Sequence, residues 1–133
     1  MRRVLLVEDS ASMRAFVRAA LTTAGALGEL EIAEAQSGFD ALRLLPRGAW
    51  DLVITDINMP DINGLELISF IKKSESHKNT PILIISTASS ERDRERGMTL
   101  GASGYLVKPF TAEAIVAQAL EQMGAESASG AHA

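Results

Sequence analysis

Cysteine is absent from the chain, so disulfide frameworks, thiolate zinc sites and cysteine nucleophiles are all excluded. An excess of positive charge is missing too: 13 Lys and Arg stand against 17 Asp and Glu, a net charge of −4. That balance argues against a protein held to nucleic acid by bulk electrostatics, and leaves only a local basic patch open. There is no long hydrophobic run. The opening Met1-Arg2-Arg3-Val4-Leu5-Leu6-Val7 imitates an export signal, but Glu8-Asp9 stops it far short of the apolar stretch a signal needs. No other segment approaches the roughly 18 apolar residues of a membrane span. The chain reads as a soluble, cytoplasmic domain. At 133 residues it is long enough to bury a self-sufficient core without metal or disulfide staples.

Short apolar runs alternate with stretches of helical period. The runs are Val4 to Val7, Leu30 to Ala35, Leu52 to Thr55, Ile82 to Ile85 and Tyr105 to Val107. They mostly lack in/out alternation, which predicts five strands covered on both faces. Met13, Phe16, Val17, Ala20 and Leu21 form a helical stripe, and Val116, Ala119, Leu120 and Met123 form another. Ser37 predicts the cap of a helix from Gly38 to Leu45, stopped by Pro46; Leu65, Ile68 and Ile71 stripe a helix that starts after Asn63-Gly64. Between Glu91 and Leu100 the apolar surface is Met98 and Leu100 amid charges, which predicts a loosely packed fourth helix. Strict alternation implies a parallel sheet with helices on both faces, an α/β fold of the (βα)5 doubly wound type. Residues 1–123 form one domain on this reading. The segment 124–133, rich in Ala, Ser and Gly, has no periodicity and nothing to bury, and is expected to be disordered.

The chemistry gathers where strands end. The first strand ends in Glu8-Asp9, the third in Asp56, the fourth in Ser86-Thr87 and the fifth in Lys108-Pro109. Open parallel sheets bind ligands outside the carboxyl ends of their strands. A single acid there could be a helix cap or an Asx turn. Three acids with a hydroxyl and a lysine ask for more, because crowded carboxylates are tolerated mainly where a hard cation or an ammonium neutralises them.

Three stretches carry a resemblance. They are Val7-Glu8-Asp9-Ser10 with Ser12-Met13-Arg14, Ile54 to Pro60 with Gly64-Leu65-Glu66-Leu67, and Gly101 to Phe110. Together they resemble the receiver domain of two-component response regulators, particularly the single-domain, chemotaxis-type CheY-like group, over residues 2 to about 123. The resemblance implies a flavodoxin-like five-stranded sheet of order 2-1-3-4-5. It implies Asp56 as the phosphoacceptor, with Mg²⁺ held by Glu8, Asp9, Asp56 and the backbone carbonyl of Asn58. Lys108 and the Ser86 hydroxyl would contact phosphoryl oxygens, Ser86 and Tyr105 would form the switch, and Asn58 and Ala88 would tune hydrolysis. A cis Lys108-Pro109 bond is implied as well.

Each of these residues has a plainer reading. Lys108 could be a solvated strand end, Ser86 a turn cap, Asn58 a loop residue satisfying backbone groups, and Tyr105 an ordinary strand aromatic. Thr87 is a competing hydroxyl, although the spacing of the family it resembles, counted back from Lys108, implies Ser86. Asn63-Gly64 is expected to serve a turn with positive φ. His77 and His132 are assigned no ligand or relay role.

The resemblance implies a signal receiver that catalyses only its own phosphorylation and dephosphorylation. Its partners would be a sensor histidine kinase as donor, an output protein on the face of the fourth helix, fifth strand and fifth helix, and a phosphatase. A monomer without nucleic-acid or membrane partners is expected. A haloacid dehalogenase-type enzyme also uses an Asp and Mg²⁺, but it needs Asp-x-Asp after its first strand, whereas Asp56-Ile57-Asn58 follows the third. A pseudo-receiver that binds without accepting phosphate usually loses an acid or the lysine, and this chain keeps them. An N-terminal receiver piece of a longer regulator remains a further alternative.

Overall fold

The computed structural model describes residues 1–124. Strand and helix alternate through it: β1 (Arg2–Val7), α1 (Ala11–Thr23), β2 (Leu30–Ala35), α2 (Gly38–Leu44), β3 (Leu52–Asp56), α3 (Gly64–Lys73), β4 (Ile82–Thr87), α4 (Glu91–Leu100), β5 (Gly104–Lys108) and α5 (Ala112–Met123). All strand pairs are parallel, in the order β2-β1-β3-β4-β5. This is the doubly wound, flavodoxin-like (βα)5 arrangement.

Successive residues of a strand point to opposite faces, and both faces are covered here. Val4 and Leu6 join Leu52, Ile54, Leu83 and Ile85 in one core, against Val17 and Leu21 of α1 and Ile115 and Ala119 of α5. Leu5 and Val7 join Val53, Ile82 and Ile84 in the other, against Ala41 of α2 and Leu65, Ile68 and Ile71 of α3. That is why the inner strands read as unbroken apolar runs. Each fully buried Leu or Ile contributes roughly 1.5–3 kcal/mol relative to an exposed one.

Several expectations are corrected. Not all five strands are buried: β5 has no buried residue and β2 has two, Ile32 and Ala35, because each is an edge strand with one neighbour. Phe16 does not join the buried stripe of α1. It is 40% exposed and packs instead on Phe110, with ring centroids 6.0 Å apart. The helix capped by Ser37 ends at Leu44, and Pro46 lies inside a short 3-10 turn, Leu45–Arg47. Proline fits there because the start of a helical turn needs no N–H from it. The loose packing expected of α4 is observed: Met98 and Leu100 are exposed and only Gly97 of this helix is buried. A Cβ on Gly97 would stand 2.4 Å from Ile84 Cδ1, so the helix reaches the core through the lack of a side chain.

Asn63-Gly64 is corrected as well, since neither residue has positive φ. Asn63 caps α3, accepting from the Glu66 N–H at 3.0 Å while Glu66 accepts from the Asn63 N–H at 3.2 Å. Glycine is needed at 64 for closeness. A Cβ there would meet the Asp56 carbonyl oxygen at 2.3 Å and Ile57 Cα at 2.7 Å. Of the segment 124–133 expected to be disordered, residues 125–133, His132 among them, lie outside the described residues. His77 is buried in the turn after α3, remote from the strand ends. Among the described residues no helix is long and apolar enough to cross a membrane.

Candidate functional site at the carboxyl ends of the strands

The register brings the ends of β1, β3, β4 and β5 side by side. Val7 pairs with Thr55, Asp56 with Ile85 and Thr87 with Lys108. One residue beyond Val7, Glu8 is fully buried, and its Oε2 accepts from the Ser10 N–H at 2.9 Å. Ser10 in turn caps α1. Asp56 is also buried, with Oδ1 accepting from the Asn58 N–H at 3.2 Å, while Asp9 is exposed at the mouth. Each of the three acids places one oxygen within 4.8 Å of the others.

Lys108 reaches into this group. Its Nζ donates to Glu8 Oε1 at 2.6 Å and to Asp56 Oδ2 at 3.1 Å. The peptide bond after it, Lys108-Pro109, is cis. Burial pushes the Glu8 carboxyl above its ordinary range, and the neighbouring Asp9 and Asp56 add to the rise despite the lysine. Burial alone would lower Lys108, but its bonds to Glu8 and the charge of Asp56 outweigh it and hold the ammonium above its ordinary value. One ammonium against three carboxylates leaves negative charge uncompensated. An all-oxygen donor set with one exposed member suits a hard divalent cation such as Mg²⁺.

Ser86 is fully buried at the end of β4, and Thr87 beside it is exposed. The Thr87 hydroxyl lies 3.0 Å from Ser89 Oγ and 3.2 Å from Ser90 Oγ, within the turn Ala88–Ser90. Asn58 donates through Nδ2 to Ser90 Oγ at 2.9 Å, tying the loop after β3 to the turn after β4. Ala88 is exposed on that turn. Tyr105, in the edge strand β5, is 47% exposed. Glu8, Asp9, Asp56 and Lys108 thus converge directly and the Asn58 N–H adjoins them, while Ser86 and Ala88 lie at and just beyond the end of the neighbouring strand β4 and Tyr105 lies three residues before Lys108 in β5.

Two arginines play parts that sequence reasoning did not assign. Arg14 donates to the Glu8 carbonyl at 2.7 Å and to Glu34 at 3.0 Å, bracing the turn that carries the acids. Arg94 donates to the Thr87 carbonyl at 2.7 Å and contacts Ser86. Arg14 stood within a matched motif, whereas nothing distinguished Arg94 from its charged neighbours.

The chain is similar to known proteins along nearly its whole length. It is 32% identical over 130 residues to the chemotaxis protein CheY homolog of Campylobacter jejuni, covering 97% of this chain and 98% of that one. Its fold superposes on chemotaxis response regulator CheY4 of Vibrio cholerae with a TM-score of 0.82 and 34% identity, covering 92% of this chain and 98% of that one. It also shares its fold with a Mn²⁺-bound form of response regulator Rcp1, at a TM-score of 0.79, 24% identity and 96% coverage of both chains. The family model for the response regulator receiver domain matches residues 4–120, which includes every strand end just described. With that match and the buried acid–lysine group agreeing, the chain belongs to the response regulator receiver family, on its CheY-like side.

Proposed function

We propose that the protein is a two-component phosphoreceiver that takes a phosphoryl group on Asp56 from the histidine of a sensor kinase and then changes its affinity for a protein partner. One observation carries this reading: Lys108 and the acids Glu8 and Asp9 converge on Asp56, a carboxylate buried at the end of a central strand. In the transfer, an Asp56 oxygen attacks phosphorus as the phosphorus–nitrogen bond of the phosphohistidine breaks. The imidazole keeps that electron pair and regains a proton, and the product is an acyl phosphate. Hydrolysis by water returns the carboxylate and inorganic phosphate. No dedicated general base is required.

Glu8, Asp9, Asp56 and the Asn58 carbonyl would hold Mg²⁺, which supplies charge neutralisation to the transferring group. Lys108 gives a point charge to one phosphoryl oxygen and the Ser86 hydroxyl donates to another. Asn58, two residues after Asp56, and Ala88, two residues after Ser86, are both exposed, and in this reading they flank the approach of water and tune hydrolysis. The output face is α4, β5 and α5, engaged by a chemotaxis- or motility-type partner, and the protein works as a cytoplasmic monomer whose signal a phosphatase can end. It turns over no substrate beyond its own phosphoryl group. The likeness to CheY proteins supports the chemotaxis-type output.

The test is label transfer from acetyl phosphate with Mg²⁺, and from a phosphorylated histidine kinase. Wild type is expected to take up acid-stable, base-labile label, and Asp56→Asn to take up none. Undiminished label on Asp56→Asn would overturn the acceptor assignment.

A further inference from the structure

Ser86 is buried and Tyr105 is half-exposed, and a single side chain touches both. Arg94, on α4, donates through Nη1 to Ser86 Oγ at 3.4 Å and to the Thr87 carbonyl at 2.7 Å. Its guanidinium carbon lies 5.6 Å from the centre of the Tyr105 ring. The Thr87 carbonyl therefore anchors the arginine, and the two remaining contacts fall on a hydroxyl at the phosphoryl pocket and an aromatic on the output face.

We propose that Arg94 is a positioning residue that latches the resting state by holding Ser86 and Tyr105 at once; this rests on the phosphoreceiver reading above. The contact with Ser86 is at the long limit of a hydrogen bond, so a modest shift of Oγ towards a phosphoryl group on Asp56 breaks it. A hydroxyl that accepts from arginine still has its own proton to give, so Ser86 is held in place without being chemically blocked. Inward rotation of Tyr105 takes the ring away from the guanidinium, forfeiting a cation–π contact that at an exposed site is worth roughly two- to fivefold in an equilibrium. Both movements strain contacts of one side chain. Once the first has been broken, the second is resisted less, and that shared restraint couples the pocket to the surface. Lysine would not replace it, because the planar guanidinium bonds at its edge and stacks on its face at the same time.

The test compares wild type, Arg94→Ala, Arg94→Lys and Ser86→Ala, and the Ser86→Ala/Arg94→Ala double variant. Each is titrated with beryllofluoride at fixed Mg²⁺, while Tyr105 ring resonances are followed by NMR. Loss of the latch should tighten beryllofluoride binding by about three- to tenfold in Arg94→Ala, since a destabilised resting state leaves more of the responsive one. Tyr105 signals should move part-way to their activated positions before any beryllofluoride is added. Arg94→Lys should lie between Arg94→Ala and wild type. In the Ser86→Ala background the effect of Arg94→Ala should shrink at least twofold, a dependence that mere support of α4 would not produce. Unchanged affinity and unmoved Tyr105 signals in Arg94→Ala, or equal tightening with and without the Ser86 hydroxyl, would overturn the latch alone if wild type responds. Absence of Asp56-dependent beryllofluoride uptake in wild type would instead overturn the phosphoreceiver reading, and the latch with it.

Discussion

Lys108 and Glu8 lie 100 residues apart in the chain, yet the ammonium of one sits 2.6 Å from the carboxylate of the other, across the end of β3. The same ammonium bonds Asp56 at 3.1 Å, so one cation ties the edge strand β5 to the end of β3 and to the residue that follows β1. Its removal leaves buried carboxylates facing one another. Lys108→Met is expected to cost roughly 2–4 kcal/mol of stability without metal. The deficit should narrow when Mg²⁺ is added, because a divalent ion among the same oxygens replaces the lost positive charge. Urea unfolding with and without Mg²⁺ measures both numbers, and a deficit indifferent to Mg²⁺ would count against the carboxylates as its ligands.

Gly64 governs the same site from the other side. A methyl group there would press on the Asp56 carbonyl and Ile57 Cα, both backbone atoms that cannot rotate away. Gly64→Ala is expected to destabilise the fold by about 1–3 kcal/mol, as overpacking does. It should also slow phosphorylation from acetyl phosphate beyond what the lost stability explains, since relief requires the loop after Asp56 to move. Wild-type phosphorylation kinetics in a folded Gly64→Ala variant would show that the close approach is structural only.

These residues mark where sequence reasoning succeeds and where it stops. In a parallel sheet every strand runs the same way, so acids and a lysine at strand ends must share one edge; Glu8, Asp9, Asp56 and Lys108 were legible for that reason. The inner strands were legible because burial on both faces removes alternation. What escaped depends on spatial neighbours. Half-exposure of β5 follows from edge position, which an apolar run does not record. Gly64 and Gly97 matter through backbone or side chains that approach from elsewhere in the fold, and a glycine signals such closeness and positive φ with the same letter. Arg94 lay in a charged stretch whose members differ only in what α4 turns them towards.

The pair of arginines on Glu34 makes a prediction about acid. Arg18 bonds this carboxylate at 2.6 Å and Arg14 at 3.0 Å, and together they hold it below the ordinary value of 4.5. A carboxyl lowered in the folded state adds stability above its unfolded pKa and loses it as pH falls through the folded one. Wild type should therefore lose stability below about pH 4.5 more steeply than Glu34→Gln. At neutral pH the variant should be less stable by roughly 0–1 kcal/mol, the range for partly exposed pairs, and added salt should shrink the difference. Chemical denaturation from pH 3 to 7 reads the slopes, and parallel slopes would contradict the pairing. Because Arg14 also bonds the Glu8 carbonyl, Glu34→Gln should in addition shift the Glu8 and Asp9 amide resonances.

The last prediction concerns how far a change at Asp56 travels. A phosphoryl group adds negative charge and acceptor oxygens beside Ser86, and only groups that interact differently with the two states can shift the balance between them. On the α1 side of the sheet, Val17 and Leu21 are buried in a continuous core, which resists small displacements. On the other side, α4 buries only Gly97, so little apolar contact opposes its movement. Beryllofluoride with Mg²⁺ should therefore perturb backbone NMR shifts from Ser86 through Ala88 and on through Arg94 to Tyr105, while Phe16 and Val17 stay nearly still. Ser86→Ala should keep the perturbations next to Asp56, because the acceptor and its lysine remain. It should lose most of those at Tyr105, because the hydroxyl that would follow the phosphoryl group is gone. Distal perturbations of undiminished size in Ser86→Ala would show that the signal leaves the pocket by another route.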